Sequence, residues 1–384
     1  MSEYNYILMR KDIPVTMVSF NETGKMTDYS KDMKNPELAP LDHRYNPQWL
    51  KTWWYERAIP IGQDGIKEVL KANDCKFQSE YLLKNLGISL SDYYWVKPID
   101  SDLQWKDVSP FQNDFSKDNQ YSPNGSIQGT IRKTWKIING QRYMIKGNKS
   151  PLSSECINEV IASEIHKQQG YTNYTDYQLK ENEDRSYKYD CISKVFTSEK
   201  YEAITAWAIF TMENKPNHIS NYNHFLNMCK KLNIDIDKLQ QDLSYQIQAD
   251  YIMSGYDRHL NNISLLRDAD TLQFKGIAPL YDSGASFFVN HLTDINNLNN
   301  VKINSFCNTE FKQLNLVTDR DIFDINKLPS ISYIQEMYHK DDLLSDYAID
   351  MIVKSYEHKM DMLYKFQKGT DLDKSLKEKY IERE

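Results

Sequence analysis

The chain has 384 residues, more than one ordinary hydrophobic core holds, so two or three substructures are expected. Hydrophobic residues at 40% and charged residues at 26% describe a globular rather than a disordered chain, and a net charge of −7 argues against unaided nucleic-acid binding. No apolar run approaches a membrane span and the opening MSEYNYILMRKD has no signal-peptide core; the five cysteines (Cys75, Cys156, Cys191, Cys229, Cys307) are scattered, so reduced thiols in a cytoplasm and no structural zinc are expected.

Residues 4–20 alternate around Lys11-Asp12 and predict a hairpin, with Asn21 to Gly24 as its next turn. Trp53, Trp54 and Ile59-Pro60 predict a short helix ending before the proline. Residues 64–72 and 77–86 read as short helices, the second stopped by Gly87. The aromatics of Ser89 to Trp95 read as packing residues, since no basic surround would make them a base-stacking platform. Residues 1–115 thus form a small α+β subdomain without visible catalytic chemistry.

A polar link at 116–130 contains Ser126-x-x-Gly129, whose backbone amides could approach phosphates closely or simply connect two domains. Residues 131–138 and 141–146 flank Asn139-Gly140, a strong hairpin signal, and Lys146 ends the second strand. Ser153-Ser154 can cap a helix that runs to Gln169, with Gly170 as its stop. A strand lysine paired with a glutamate of the following helix can hold nucleotide phosphates. Periodicity puts Glu164 within the apolar stripe of Ile157, Val160, Ile161 and Ile165, where an unpaired carboxylate is costly, and leaves Glu159 away from it. Residues 188–196 read as a strand, and backbone groups of Lys194, Val195 and Phe196 are candidates for reading an adenine edge. From Tyr201 the chain reads as helical over about 201–212, 219–232 and 236–255.

Leu239, Leu243 and Ile247 mark one face of the last helix, and the next place on that face is Asp250. A carboxylate there needs partners, and the loop 254–262 is the nearest source, so Asp250 is expected to orient that loop. The loop contains Asp257-Arg258-His259-Leu260-Asn261-Asn262. Apolar segments Ile263 to Leu266 and Ile277 to Leu280 predict a hairpin, followed by Asp282 in Tyr-Asp-Ser-Gly. This spacing suits phosphoryl transfer: Asp257 as base, with Asn262 and Asp282 as hard oxygen ligands for Mg²⁺. His259 is expected to pack and hydrogen-bond within the loop. No G-x-S-x-G or HExxH element points to hydrolytic chemistry.

Lys146, Asn158-Glu159 on the helix, Asp250, the loop Asp257 to Asn262 and the turn Pro279 to Gly284 resemble the HipA-like serine/threonine protein kinases over roughly 120–365. The resemblance implies an α+β, bilobed, protein-kinase-like fold of HipA type. It implies a small β-rich N-lobe at 116–196, a larger helical C-lobe at 197–384, and an additional α+β N-terminal subdomain at 1–115. It implies ATP and Mg²⁺ as cofactors, with Asp257 as catalytic base, Asn262 and Asp282 on the metal, and Lys146 on the ATP phosphates, and it favours Glu159 over Glu164. In that family a phosphate-loop serine can be autophosphorylated, and Ser126 matches that position most nearly. It implies a protein substrate and an antitoxin or regulatory partner, with the chain as toxin or effector. The pattern Asp-Arg-His-x-x-Asn is also similar to phosphoinositide lipid kinases, so a lipid or small-molecule kinase stands as an alternative, with a nucleotide-binding pseudokinase as a third reading. No basic amphipathic membrane helix is visible. After Gly284, an asparagine-rich loop at 290–300 is either flexible or a substrate-binding segment. Residues 319–328, 332–339 and 341–367 read as helices, and 368–384 as a charged tail.

Overall fold

The computed structural model describes residues 4–118, 120–150, 153–183, 187–287, 301–342, 344–372 and 374. The loop 290–300 and most of the tail 368–384 lie outside the described residues. The chain divides into two compact units, one of Met1–Lys149, Lys194–Lys215 and Leu265–Lys275, the other of Ser150–Ser193, Pro216–Ser264 and Gly276–Glu384. The first unit opens with strands β1 (Tyr4–Arg10), β2 (Ile13–Phe20) and β3 (Met26–Tyr29). Helices α1 (Trp49–Arg57), α2 (Ile66–Ala72) and α3 (Gln78–Lys84) follow, then β4 (Tyr94–Pro98), the short α4 (Trp105–Val108), β5 (Lys133–Ile138) and β6 (Gln141–Lys146). The second unit takes α5 (Glu155–Gln168), β7 (Tyr177–Glu181) and nearly all of β8 (Tyr189–Lys194). The first resumes with β9 (Tyr201–Thr205) and α6 (Ala206–Phe210), and the second with α7 (Asn221–Lys231) and α8 (Ile236–Met253). Strands β10 (Ser264–Asp268) and β11 (Phe274–Ile277) return largely to the first unit, and α9 (Glu310–Leu314), α10 (Ile331–His339) and α11 (Asp346–Gln367) complete the second.

In the first unit an antiparallel sheet runs β3-β2-β1-β4. Successive side chains of a strand face opposite ways, and both faces of this sheet are covered. Leu8, Val15, Val18 and Phe20 pack with Leu50 and Trp54 of α1, while Met9, Tyr93 and Trp95 pack with Trp105 of α4. The run expected only as packing aromatics therefore also supplies an edge strand, β4. Gly24 turns the chain at φ +73, where a Cβ would stand 2.1 Å from the Ser79 carbonyl oxygen. The β5–β6 hairpin pairs Lys133 with Lys146 and turns at Asn139 and Gly140, both at positive φ as a two-residue hairpin turn requires.

A second sheet runs β11-β10-β9. Here the helix expected over 201–212 is overturned: residues 201–205 are a strand and only 206–210 are helical. Burial alternates along β9, with Glu202 and Ile204 inward. Glu202 is fully buried yet held by Arg10 and Arg267, and that long-range pairing supports an inward charge no local pattern foresees. The second hairpin strand is Phe274–Ile277, three residues ahead of the expected segment.

In the second unit α8 is buried along most of its length, started by Asp235, whose side chain accepts from the Lys238 amide at 3.1 Å. Lys359 of α11 and Glu310 of α9 form a fully desolvated ion pair, and the ammonium lies over the Tyr251 ring of α8. Helix α5 runs close to the expected span, but its Ser154 hydroxyl is buried without a hydrogen-bond partner and does not cap it, while Ser153 bonds back to Ser150. Backbone angles of φ −120 and ψ 31 at Ser154 depart from the extended geometry a capping hydroxyl uses. Strand β7, not foreseen, pairs antiparallel with β8. The helix expected over 319–328 is reduced to a single 3₁₀ turn, Ile325–Lys327, after the Asp324 side chain takes the Asn326 amide. Among the described residues no helix is long and apolar enough to cross a membrane.

Candidate functional site

Helix α8 ends where Ser254 adopts φ +52 and the Gly255 amide returns to the Asp250 carbonyl at 2.8 Å. The chain then enters the Tyr256–Asn262 loop with Asp250 at its base. Arg258 is 5% exposed and its guanidinium organises the region. Nε reaches both Asp250 oxygens at 3.1 and 3.2 Å, and Nη2 reaches Oδ1 at 3.0 Å. Nη1 donates to the carbonyls of Asn262, at 3.2 Å, and Tyr281, and Nη2 donates to Ser283 Oγ at 2.8 Å. Burial pushes the Asp250 carboxyl up and Arg258 pulls it back. Burial alone would lower the Arg258 pKa, but Asp250, with Asp282 and Glu159 nearby, raises it, so the guanidinium keeps its charge.

The same loop fixes the metal-ligand candidates. Asn262 donates through Nδ2 to the Asp257 carbonyl at 3.0 Å, so its amide oxygen is the atom suited to a hard cation. Asp282 stands at φ +58, an uncommon backbone conformation for aspartate, held by bonds on either side: Tyr281 and Ser283 both accept from Arg258, and the Ser283 amide donates to Glu159 Oε2 at 2.9 Å. One amide oxygen and one carboxylate suit Mg²⁺, which takes few protein oxygens and completes its shell from phosphates and water. Among the described residues no three His, Cys, Asp or Glu side chains cluster as a metal site of their own. The backbone passes close at Gly284, where a Cβ would lie 3.1 Å from the Glu155 carbonyl oxygen and 3.2 Å from Glu159 Oε1.

Helix α5 supplies the support. The Asn158 amide donates to the carbonyls of Gly284 and Ser286 at 2.8 and 3.0 Å and accepts from the Tyr338 hydroxyl at 2.7 Å. The stripe assignment on α5 is reversed: Glu159 is 1% exposed, whereas Glu164 lies at the rim with Lys167 and Gln168. The helix is buried over a broader arc than its apolar stripe, because polar Asn158 and Glu159 face the Asp282 turn. His259 contributes its carbonyl, which accepts the Asn262 amide at 2.8 Å; its Nδ1 is buried without a hydrogen-bond partner, so the expected ring bonding within the loop is not made there.

The remaining candidates lie in the first unit. Lys146, at the end of β6, is 2% exposed. Ser126 closes a 3₁₀ turn, Pro123–Ser126, where its buried hydroxyl bonds to the carbonyls of Ile88 and Pro123 at 3.0 and 2.8 Å. Gly129 has φ +102, and Lys133 Nζ lies 2.8 Å from where its Cβ would be. Lys194 is exposed, Val195 and Phe196 are half-buried, and the Val195 amide already donates to the Arg142 carbonyl at 3.0 Å.

Arg258 and Tyr281 were given no role from the sequence, and Asn158 entered only as part of the motif that carries the family resemblance. Arg258 had a signal: an arginine directly after the proposed base, in a loop following a helix whose apolar face ends in Asp250. Tyr281 had none, although its hydroxyl joins Ser264 and the Asn261 carbonyl, each at 2.8 Å.

The chain has a HipA-like kinase fold. No family model matches the sequence, and no curated protein matches it. It is similar to HipA from the Shewanella oneidensis MR-1 toxin–antitoxin complex of HipA, HipB and operator DNA, at 14% identity and a TM-score of 0.53, over 96% of this chain and 98% of that one. It is also similar to the Helicobacter pylori proinflammatory kinase CtkA, at 18% identity and a TM-score of 0.46, over 62% of this chain and 91% of that one.

Proposed function

We propose that this chain is an ATP-dependent kinase that transfers a phosphoryl group to a serine or threonine of a protein. The supporting observation is the buried guanidinium of Arg258, which ties the Asp257–Asn262 loop to both neighbours of Asp282. Phosphoryl transfer asks chiefly for positioning and for charge on the phosphates, and a rigid brace between base and ligand residues meets the first demand. Asp257 takes the acceptor hydroxyl proton as that oxygen bonds the γ-phosphorus and the bond to ADP breaks. Asn262 and Asp282 would hold Mg²⁺, which when bound would offset the negative charge of the phosphates. Lys146 is assigned to the phosphates. Backbone groups of Lys194 and Phe196, with the Val195 carbonyl, are assigned to the adenine edge, since the Val195 amide is engaged. Phosphorylation of Ser126 would first require its turn to open. Because the HipA neighbour occurs in a complex with HipB, an antitoxin-like regulatory partner belongs to this proposal, and the five scattered thiols add a cytoplasmic setting to it.

With γ-labelled ATP, Mg²⁺ and a cell lysate, wild type is expected to label protein. Asp257→Ala is expected to lower the rate at least about a hundredfold while ATP still binds, and Asp282→Ala to lower it comparably. Label confined to lipid or small molecules would move the reading to a lipid or metabolite kinase. ATP binding with no transfer would leave a nucleotide-binding module.

A further inference from the structure

The segment that follows the adenine-hinge candidates, Thr197 to Lys200, has no regular secondary structure, yet Thr197, Ser198 and Glu199 each bond to residues of the N-terminal 115. Thr197 Oγ1 donates to the Leu90 carbonyl, and the buried Tyr93 hydroxyl donates to the Ser198 carbonyl at 2.7 Å. Glu199 is held at both ends. Its carboxylate accepts from Ser109 Oγ at 2.6 Å and Trp105 Nε1 at 3.4 Å, and its carbonyl from Lys11 Nζ at 3.4 Å. The Ala203 amide, just beyond, donates to the Ser91 carbonyl at 2.9 Å. The same N-terminal stretch also reaches the strand on the other side of the hinge. Arg142 of β6 donates through Nε to the Pro110 carbonyl at 2.6 Å and through Nη2 to the Asn113 carbonyl at 3.0 Å, while its own carbonyl accepts the Val195 amide.

We infer that Trp105 to Asn113 form a clasp that fixes the nucleotide hinge, with Glu199 and Arg142 as positioning residues for adenine recognition. The inference rests on the kinase reading of Lys194 to Phe196 and gives the N-terminal 115 residues a role in that site. Backbone groups read an adenine edge only when held to within a few tenths of an ångström, and an irregular segment does not hold itself there. Ser109 anchors the chain just after the hinge and Pro110 to Asn113 anchor β6, so one short stretch sets the hinge from both sides. None of these clasp residues is assigned to the transferring phosphoryl group. Loosening the clasp therefore weakens nucleotide binding and leaves the chemical step in place.

The test measures the MgATP dependence of label transfer to lysate protein, and MgATP affinity by titration calorimetry, for wild type, Ser109→Ala, Glu199→Ala, Glu199→Gln and Arg142→Met. Losing hydrogen bonds to a charged group corresponds to about a tenfold change in affinity. Glu199→Ala and Arg142→Met are expected to raise the KM and Kd for MgATP about tenfold with the plateau rate kept, Ser109→Ala to raise them less, and Glu199→Gln, which can still accept from Ser109, to recover most of the loss. Variants that melt as wild type does and keep its MgATP affinity overturn the inference, as does a fall in plateau rate equal to the loss in affinity. If Arg142→Met does not fold, Ser109→Ala, which removes one hydroxyl, carries the same comparison. A wild type that binds no MgATP overturns the kinase reading itself, a result distinct from unchanged variants of a binding wild type.

Discussion

Arg258 makes contacts that no other side chain near it could replace. A guanidinium presents its donors in a planar fork and here uses them on a carboxylate, two carbonyls and a hydroxyl at once. Arg258→Met leaves Asp250 buried and unpaired, which by analogy with other broken buried pairs costs about 3–5 kcal/mol. Chemical denaturation is expected to register that loss. Arg258→Lys restores the charge without the fork, so it should recover part of the stability but less of the transfer rate, because the Tyr281 and Ser283 contacts that flank Asp282 are not remade. Equal recovery of both would mean that charge alone sets the turn. Asp257, Asn262 and Asp282 stood out as candidates in the sequence because an acid, an amide and a second acid spaced around a predicted hairpin suit phosphoryl transfer. Arg258 was not, because the partners that bury it come from Asp250, Tyr281 and Ser283, and an isolated arginine in a polar loop reads as solvated. Glu159 was legible only through a family resemblance; its burial depends on the Ser283 amide, 124 residues away.

At the scale of elements, local signals succeed where local chemistry decides. Asn139-Gly140 names its hairpin because both turn positions need positive φ. The glycines separate two physical demands. A Cβ at Gly140 would meet nothing within 4 Å, so Gly140→Ala faces only the backbone penalty, on the order of 1 kcal/mol. At Gly24 the φ is similar, but the Cβ would collide with the Ser79 and Glu80 backbone, so Gly24→Ala should cost several times more, on the order of 3–5 kcal/mol. Urea unfolding of the two variants tests the difference, and equal midpoints would show that the β2–β3 turn yields more readily than its packing implies. Strands β4 and β9 were missed for the opposite reason: each is short and pairs with a strand far along the chain. Strand β7 is different, since it pairs with the next strand, β8, and its Tyr177-Gln178-Leu179-Lys180 alternation was a local signal left unread. In β9 the inward Glu202 breaks the apolar pattern, and only Arg10 and Arg267 make that position tenable.

At the scale of the whole chain, buried titratable groups carry proton linkages of both signs, and this predicts how single variants respond to acid. In the second unit His166 is buried, and burial, its largest influence, lowers its pKa to about 3; its Nδ1 lies 2.9 Å from the Tyr245 hydroxyl. The unfolded chain binds a proton there near pH 6.5 while the folded chain does not. Stability therefore rises with pH between about 3 and 6.5, by at most about 1.4 kcal/mol per pH unit. In the first unit burial raises Asp42 to about 7, against a smaller lowering from His43. There the folded chain binds the proton first, so stability is present below the unfolded pKa and is lost as pH rises from about 4 to 7. Asp42 keeps some solvent exposure, which lessens the effect without reversing it. Asp341, raised to about 6 mainly by burial in the second unit, opposes His166, so wild-type melting alone does not isolate either linkage. Variants do. Relative to His166→Gln, wild type should lose stability as pH falls from 7 to 5; relative to Asp42→Asn, wild type should gain stability over the same interval. Scanning calorimetry at half-unit steps can assign each difference to a transition, because a chain of two units need not unfold in one step. Parallel curves for wild type and His166→Gln would mean that the unfolded chain also shields this histidine, and a wild-type loss relative to Asp42→Asn would reverse the sign assigned to Asp42.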